Sequence, residues 1–332
     1  MSGTAQLVDR WGRRHTDLRI SVTDRCNLRC AYCVGTGPLK FVPKSSLLTF
    51  EEIVRIVRVA TSAGVGEIRL TGGEPLARRG LPRLVGMLRE VPGLRDIALT
   101  TNGTLLAPLA IPLRQAGLDR VNISLDTLSP EKYHAFTGGD LTQVLRGIEA
   151  ALEAGFRKIK LNAVAIRDFT EEEIIPLAEF ARQKGLEIRF IELMPLDDAS
   201  HPPQLKPLPA EEILKILEAN YGPLVPDNAS EGISPSGQYR FPDGEGKVGI
   251  LATLSQPFCG HCNRLRLSAE GLLRFCLFAR EGWNLRETIR SGASDEEILQ
   301  IFAEAIHAKW KERPHLGLPG ATLPAPMYRC GG

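Results

Sequence analysis

Six short segments within the first 194 residues alternate apolar and polar positions, which is the two-residue period of a half-buried β-strand. Between them, apolar residues recur at helical spacing, as in Ile53, Ile56, Val57 and Ala60. The predicted strands are 18–23, 67–70, 96–100, 121–125, 158–164 and 187–194, and the predicted helices lie at 49–64, 80–90, 105–116, 141–154 and after a capping box at 170–173. Six strand–helix repeats with short turns predict a parallel sheet with right-handed crossovers.

Two architectures fit this pattern, an open doubly wound sheet and a partial barrel of six βα units, and periodicity alone does not choose between them. One alternating face of several predicted strands is polar, where a closed small barrel would pack Val and Ile. These polar positions are Arg19, Ser21, Asn122, Ser124, Lys158, Lys160, Asn162 and Glu192. A polar lumen implies a polar occupant, so we favour the partial barrel, with its functional groups at the carboxyl ends of the strands.

The pattern weakens after residue 194, where five prolines interrupt it before a predicted helix at 210–220. We place a domain boundary there, with residues 1–225 as the barrel and 226–332 as a C-terminal domain. The C-terminal part carries strand-like runs at 248–254 and 265–268, a hairpin continuing to 272–278 and a helix at 295–311.

The composition is that of an ordinary soluble protein, with 332 residues, 43% hydrophobic residues, 24% charged residues and a net charge of +2. This charge gives no reason to expect nucleic acid or an anionic membrane as a partner. No apolar run reaches the ~18–20 residues of a membrane span, and no secretory signal is present. Six of the seven cysteines form two tight groups, which indicates metal ligands in a reducing compartment. We therefore expect a cytoplasmic protein.

The first cysteine group, Cys26, Cys30 and Cys33, follows the first predicted strand with C-x3-C-x2-C spacing. Three thiolates this close can hold three corners of a four-iron cube and leave the fourth iron without a protein ligand. A structural zinc site is the alternative, but zinc usually takes four ligands and no fourth candidate lies near Cys33. The spacing, with the aromatic Tyr32 before the last cysteine, resembles that of the radical S-adenosylmethionine (SAM) superfamily.

The second cysteine group, Cys259, Cys262 and Cys276, again offers three thiols. His261 or Cys330 could complete a zinc site, but we favour a second cluster with an open iron. Arg264 and Arg266 follow directly, and in an extended chain both guanidinium groups lie on one face. Such a pair suits an anionic substrate, since Arg binds phosphate in a bidentate manner; the alternative is two solvated surface arginines.

Together these motifs resemble one family nearly from end to end, the GTP 3′,8-cyclases of molybdenum cofactor biosynthesis. The resemblance is carried by the first cysteine group, 68–75, 100–103, 189–195, 259–266 and the terminal Gly331-Gly332. It implies an α/β fold, an incomplete (βα)6 TIM-like barrel with a C-terminal α+β domain that caps the barrel mouth. It also implies a lyase that cyclises GTP to (8S)-3′,8-cyclo-7,8-dihydroguanosine 5′-triphosphate and releases 5′-deoxyadenosine and L-methionine.

The resemblance further assigns cofactors and site residues. Two [4Fe-4S] clusters and SAM are implied, the first cluster on Cys26, Cys30 and Cys33 and the second on Cys259, Cys262 and Cys276. The implied catalytic residues are Cys26, Cys30, Cys33, Arg264 and Arg266, and the implied SAM contacts are Tyr32, Gly73, Ser124 and Met194. The implied GTP contacts are Arg19, Arg69, Thr100, Lys160, Arg264, the backbone of Leu265, and Arg266.

The chain departs from the family pattern at Val34-Gly35, where an apolar residue and Pro are common, and at Cys330, which we read as a bystander. The implied partners are GTP, an external one-electron donor and, downstream, cyclic pyranopterin monophosphate synthase; the sequence leaves a homodimer open. Two other functions compete. One is a radical SAM enzyme that carries an auxiliary cluster and modifies a peptide substrate. The other is a binding protein whose fold is stabilised by zinc.

Overall fold

The computed structural model describes residues 6–34, 41–194, 205–227, 237–313 and 327–330. Its strands are β1 (Asp17–Ser21), β2 (Glu67–Thr71), β3 (Asp96–Thr101), β4 (Arg120–Ser124), β5 (Ile159–Ala165), β6 (Glu187–Glu192), β7 (Val225–Pro226), β8 (Gly237–Arg240), β9 (Lys247–Leu251), β10 (Arg264–Leu267), β11 (Leu272–Arg274) and β12 (Trp283–Asn284). Its helices are α1 (Ala31–Val34), α2 (Phe50–Ser62), α3 (Leu81–Arg89), α4 (Ala110–Gln115), α5 (Pro130–Thr137), α6 (Leu141–Glu153), α7 (Ile174–Gln183), α8 (Ala210–Tyr221), α9 (Leu285–Arg290), α10 (Asp295–His307) and α11 (Met327–Cys330).

One sheet of twelve strands organises the described chain, in the order β12-β11-β10-β1-β2-β3-β4-β5-β6-β9-β8-β7. The strands β1 to β6 are parallel and lie in chain order, which confirms the six predicted βα units. A doubly wound sheet would instead reverse its strand order at a switch point. The sheet does not close, because β12 and β7 at its two ends are not paired with each other.

The C-terminal region extends this sheet at both edges. Strand β10 pairs in parallel with β1, and β9 pairs in parallel with β6. The antiparallel strands β11 and β12 follow on one side, and β8 and β7 follow on the other. Residues far along the chain are therefore brought against the first and the sixth βα units.

The apolar faces of the strands and helices meet in one core between the sheet and the helices. The helical stripe predicted from Ile53, Ile56, Val57 and Ala60 is fully buried, and the capping box before it is present. Along β5, buried residues alternate with partly exposed ones, so that Lys160 and its alternate neighbours face away from this core. The lumen of the partial barrel is polar, as predicted.

Several element ends differ from the prediction. The helix predicted at 105–116 is regular only from Ala110, after a 3-10 turn at Ala107–Leu109, because Pro108 lacks a backbone N–H and favours the start of a helix. Strand β6 ends at Glu192, β9 at Leu251 and helix α10 at His307, each earlier than predicted. Within the described residues, no helix is long and apolar enough to cross a membrane.

Candidate active site

A cavity of about 1100 Å³ lies inside the curved sheet, lined by side chains that point inward from alternate strand positions. All the predicted site residues except Leu265 line it: Arg19, Cys26, Cys30, Tyr32, Cys33, Arg69, Gly73, Thr100, Ser124, Lys160, Met194, Cys259, Cys262, Arg264, Arg266 and Cys276. The side chain of Leu265 is fully buried, and the backbone contact expected of this residue stays a prediction. Residues 240 positions apart in sequence thus share one chamber.

The first cysteine group lies on the loop after β1 and on α1. The Sγ of Cys26 accepts hydrogen bonds from the backbone N–H of Leu28 at 3.4 Å and from the side-chain amide of Asn102 at 3.9 Å. A tight turn closes the loop, since the N–H of Cys33 donates to the carbonyl of Cys30 at 2.9 Å. Burial raises the pKa of the Cys26 and Cys30 thiols, and metal coordination would favour their deprotonated form.

The Gly72-Gly73 turn after β2 packs directly on the backbone before this loop. Gly72 has a φ of +151°, and a Cβ there would lie 2.5 Å from the carbonyl oxygen of Thr23. A Cβ on Gly73 would lie 2.4 Å from the carbonyl oxygen of Arg25. Glycine is therefore required by close backbone approach, which is more than the tight turn that the sequence alone indicates.

Glu74 lies within the 68–75 motif, but sequence reasoning missed its role, which is to join this turn to β3. Its buried carboxylate accepts hydrogen bonds from Thr101 Oγ1 at 2.7 Å, from the N–H of Asn102 at 2.7 Å and from the N–H of Leu76 at 2.9 Å. Burial raises the pKa of Glu74 to about 7. Because Asn102 also contacts Cys26, Glu74 positions one neighbour of the first cysteine group.

Asp126, also missed, lies just beyond β4 and holds the ring of Tyr32. The Tyr32 hydroxyl donates to Asp126 Oδ2 at 3.2 Å, and the N–H of Val164 donates to Oδ1 at 2.8 Å. Burial raises the pKa of Asp126 to about 6 and also raises the pKa of Tyr32. The available signal was position, since Asp126 follows Ser124 at the carboxyl end of a barrel strand.

A row of three guanidinium groups crosses the cavity wall. Strand register places Arg19 beside Arg266 on one side and beside Arg69 on the other. The Nε atoms of Arg19 and Arg69 are buried, and each hydrogen bonds to no atom of the described residues. Burial lowers the pKa of Arg69 to about 10 and lowers that of Arg19 as well. Buried donors without an acceptor fit an anion in the cavity.

Acidic residues offset part of this positive charge, and sequence reasoning had missed them. Asp17 Oδ2 lies 3.9 Å from Arg19 and 3.8 Å from Arg264. Lys160 forms an ion pair of 2.9 Å with Glu187, and its pKa is lowered to about 8 by burial and then by the charge of Arg189. Strand register places Thr100 beside Asn122 and Asn122 beside Lys160. The Thr100 hydroxyl accepts a hydrogen bond of 3.3 Å from the side-chain amide of Asn122.

The second cysteine group lies on the 3-10 turn at Cys259–His261 and on the segment after β11. The Sγ of Cys262 is 3.5 Å from Lys309 Nζ, and the Cys259 carbonyl accepts a 2.6 Å hydrogen bond from Arg13. Burial would raise the pKa of the Cys262 thiol, but the Lys309 charge is the strongest opposing influence and the net pKa is lowered. Burial raises the pKa of Cys276.

A buried carboxylate also positions the segment that leads to this group. Glu192, at the end of β6, accepts hydrogen bonds from the N–H groups of Leu254 at 2.7 Å, Ser255 at 2.9 Å and Ala210 at 2.9 Å. It therefore connects the barrel to the loop that begins the second cysteine group. Met194 packs with the apolar cluster of Leu277, the residue after Cys276.

The donor chemistry of both cysteine groups fits an iron–sulfur cluster held by three thiolates. All six cysteines are thiols rather than disulfides, and each group borders the cavity. A single zinc ion needs four converging donors, and among the residues that the structure describes no three or more His, Cys, Asp or Glu side chains are arranged around one ion. His261 is exposed and does not line the cavity.

Comparisons with known proteins agree with this geometry. Residues 20–181 match the family model of the radical SAM superfamily, and residues 186–315 match that of Molybdenum Cofactor Synthesis C. The crystal structure of SuiB from Streptococcus suis bound to S-adenosylmethionine has a similar fold, with a TM-score of 0.61 at 16% identity. That match covers 82% of this chain and 64% of SuiB.

Two curated relatives match over the full length. The GTP 3′,8-cyclase of Syntrophomonas wolfei is 44% identical over 98% of this chain and 100% of its own length. The GTP 3′,8-cyclase of Pelotomaculum thermopropionicum is 45% identical with the same coverage. Radical SAM enzymes use SAM and a [4Fe-4S] cluster, and the first cysteine group has the required donors. The chain belongs to the GTP 3′,8-cyclase family of the radical SAM superfamily.

Proposed function

We propose that this protein converts GTP and SAM to (8S)-3′,8-cyclo-7,8-dihydroguanosine 5′-triphosphate, 5′-deoxyadenosine and L-methionine, the first step of molybdenum cofactor biosynthesis and a lyase reaction. The observation that carries the proposal is the shared cavity. Two cysteine groups border one chamber, and a row of three guanidinium groups lies in its wall, with the Nε atoms of Arg19 and Arg69 buried. A triphosphate is the kind of anion that such a row binds.

The first cysteine group and its neighbours form the SAM site in this proposal. When bound, a cluster on Cys26, Cys30 and Cys33 supplies the electron that cleaves SAM into methionine and a 5′-deoxyadenosyl radical. The residues placed to contact SAM are Tyr32, Gly73, Ser124 and Met194, all of which line the cavity. Asp126 fixes the Tyr32 ring, and the packing of Gly73 against Arg25 holds the loop near the sulfurs.

GTP binds deeper in the barrel, with its phosphates on the cationic wall. Arg19, Arg69 and Arg266 donate to phosphate oxygens, and Lys160 and Arg264 add charge from either side. Thr100, oriented by Asn122, offers a hydroxyl, and the backbone of Leu265 offers a further contact. Fixing the nucleotide at many points holds one C–H bond of the ribose at reacting distance and excludes water from the radical.

The remaining assignments belong to the same proposal. Cys259, Cys262 and Cys276 would hold a second [4Fe-4S] cluster, whose open iron would offer a binding position for the nucleotide base. Residues 1–225 form the radical SAM core, and residues 226–332 form the domain that carries this second cluster and the Gly-Gly tail. An external one-electron donor supplies reducing equivalents in the cytoplasm, and cyclic pyranopterin monophosphate synthase consumes the product.

Labelled nucleotide tests the reaction directly. Anaerobically reconstituted protein is incubated with SAM, a reductant and GTP deuterated at C3′, and the products are analysed by mass spectrometry. We expect deuterium in 5′-deoxyadenosine and a cyclised nucleotide that retains its triphosphate. Unlabelled 5′-deoxyadenosine would contradict abstraction from C3′. GTP-independent turnover of an added peptide would instead favour the peptide-modifying alternative.

A further inference from the structure

Lys309 follows helix α10 and buries its ammonium group beside the second cysteine group. Lys309 is only 3% exposed. The Nζ donates to the carbonyl of Arg264 at 2.7 Å and to the carbonyl of Phe275 at 2.9 Å, and it lies 3.5 Å from the Sγ of Cys262. Its three donors are therefore directed at the strand that carries the arginine pair, at the residue before Cys276, and at one sulfur.

This ammonium has no carboxylate partner among the residues that the structure describes. The nearby buried carboxylate of Asp9 instead hydrogen bonds to Arg13 at 2.6 Å and to the His15 ring at 3.2 Å. Carbonyl dipoles satisfy hydrogen-bond donors but do not neutralise a buried charge, which needs an anion close by. Of the three atoms that its Nζ contacts, the Sγ of Cys262 at 3.5 Å is the one that can carry a negative charge.

The first cysteine group is built differently. Arg29, the cation that acts on Cys26, is exposed and donates to the carbonyls of Cys26 and Leu28 rather than to a sulfur. An exposed charge is screened by water, whereas a buried one acts through a low local dielectric constant. The two groups therefore differ in the positive charge that a bound cluster would experience.

We propose that Lys309 is a positioning residue that orients Cys262 through the contact with its Sγ and raises the reduction potential of the second cluster. The inference rests on the proposed function insofar as Cys259, Cys262 and Cys276 hold a [4Fe-4S] cluster. One-electron reduction adds a negative charge to a cluster, and a fixed ammonium at one of its sulfurs stabilises the reduced form. Hydrogen bonds and charges at the sulfurs are established determinants of cluster potentials.

The test compares Lys309→Met and Lys309→Arg with the wild-type protein. Lys311→Met is the matched control, because Lys311 lies two residues after Lys309, its side chain is exposed, and the substitution removes the same charge. Each full-length protein is reconstituted anaerobically, its iron and sulfide are measured, and its clusters are titrated by electron paramagnetic resonance. A chain with all three cysteines of the first group changed to alanine identifies the signal of the second cluster.

We expect Lys309→Met to disfavour reduction of the second cluster about tenfold, which for one electron is about 59 mV toward negative potential. Lys309→Arg and Lys311→Met should change it less than threefold, and the first cluster should keep its potential in every variant. Loss of the second cluster in Lys309→Met alone also supports the proposal. Equal loss in Lys309→Arg, or a less than threefold change in Lys309→Met with full iron, would overturn it.

Failure of the proposed second cluster is a distinguishable result. Wild-type protein would then contain about four irons per chain rather than about eight, or would carry zinc without matching sulfide. The inference about Lys309 would fall with it, but the cause would be visible before any variant is made. A wild-type protein with about eight irons and an unshifted potential in Lys309→Met would overturn the role of Lys309 alone.

Discussion

The two cysteine groups of this protein use the same number of thiols but occupy opposite electrostatic environments. Around the first, the buried ionisable neighbours are carboxyl groups, Asp126 behind Tyr32 and Glu74 behind Asn102. Around the second, the buried neighbour is the ammonium of Lys309, and Arg13 contacts the Cys259 carbonyl. An equal number of thiols therefore does not mean equal chemistry.

This difference in charge matches the two tasks of the proposed reaction, which are reduction of SAM at the first group and binding of the nucleotide at the second. Reduction of SAM needs a cluster with a low reduction potential. Acidic and apolar surroundings lower this potential, because they destabilise the more negative, reduced state of the cluster more than the oxidised state. Binding of a nucleotide triphosphate needs positive charge, which the second group shares with Arg264 and Arg266. We therefore expect loss of the first cluster and loss of the second cluster to have different effects on the reaction.

Removing one ligand from each group gives the largest expected effects. Cys30→Ala should abolish formation of 5′-deoxyadenosine, because the SAM-cleaving cluster loses a ligand. Cys276→Ala should retain slow SAM cleavage but form no cyclised nucleotide. Each variant should lose about four of about eight irons. Both products are measured by liquid chromatography, and iron is measured by colorimetry.

His261→Ala is the matched control, because this exposed side chain lies within the second group but does not border the cavity. It should keep full iron content and turnover. If His261→Ala loses metal as Cys276→Ala does, His261 is a ligand of the second site, and its zinc and sulfide contents then distinguish a zinc site from a cluster. If Cys276→Ala also stops SAM cleavage, the division of tasks between the groups is wrong.

The guanidinium row gives the next largest effect. Arg266→Ala removes a charge-assisted contact worth roughly 1.5–3 kcal/mol, so the KM for GTP should rise about 10- to 150-fold. The rate of SAM cleavage without GTP should not change. Steady-state kinetics with GTP as the varied substrate measure this, with Arg58→Gln on the exposed face of α2 as control. An unchanged KM with a lower kcat would place Arg266 outside the phosphate site.

Much of the fold follows from local patterns that are visible in the sequence. The capping box at Thr49 and Glu52 and the alternation along β5 form as expected, because each depends on neighbouring residues only. The turn at Gly72-Gly73 also forms, but its need for glycine comes from the distant backbone of Thr23 and Arg25. Pairing of β9 with β6 and of β10 with β1 was not expected. These contacts join distant segments, and periodicity contains no information on which strands meet.

The candidate site likewise contains residues that the sequence reveals and residues that only the structure reveals. The cysteine groups and the Arg264/Arg266 pair stand out by spacing, so sequence reasoning finds them. Lys309 lies 33 positions beyond Cys276, and Glu192 lies 67 positions before Cys259, with no distinctive spacing. A single lysine in a sequence is most often a solvated surface residue. Glu192 was expected on the polar face of a strand, but no sequence signal links it to the second group. Only burial and hydrogen-bond geometry show that these two position the second group.

Glu192 offers a smaller effect that separates structure from chemistry at the second group. In the carboxylate of Glu192, Oε2 accepts the N–H groups of Leu254 and Ser255, and Oε1 accepts the N–H of Ala210. Glu192→Gln replaces one of these oxygens by an NH2 group, which cannot accept a hydrogen bond. We expect a loss of about 1–3 kcal/mol in the free energy of unfolding. Denaturant titration of the anaerobic protein measures it, with exposed Glu281→Gln as control. No loss would mean that the loop before Cys259 is held by other contacts.

The smallest effect concerns the first group. Tyr32→Phe removes the hydroxyl that donates to Asp126 at 3.2 Å but keeps the ring, so only its orientation is weakened. One hydrogen bond of about 1 kcal/mol corresponds to roughly fivefold weaker SAM binding. Equilibrium binding of SAM to the reconstituted protein measures this change, and Tyr239→Phe on β8, outside the cavity lining, is the control. Because the second group does not contact Tyr32, the KM for GTP should stay the same. A parallel rise in the KM for GTP would mean that the two halves of the chamber are coupled through this ring, and the electrostatic separation of the two cysteine groups would then be incomplete.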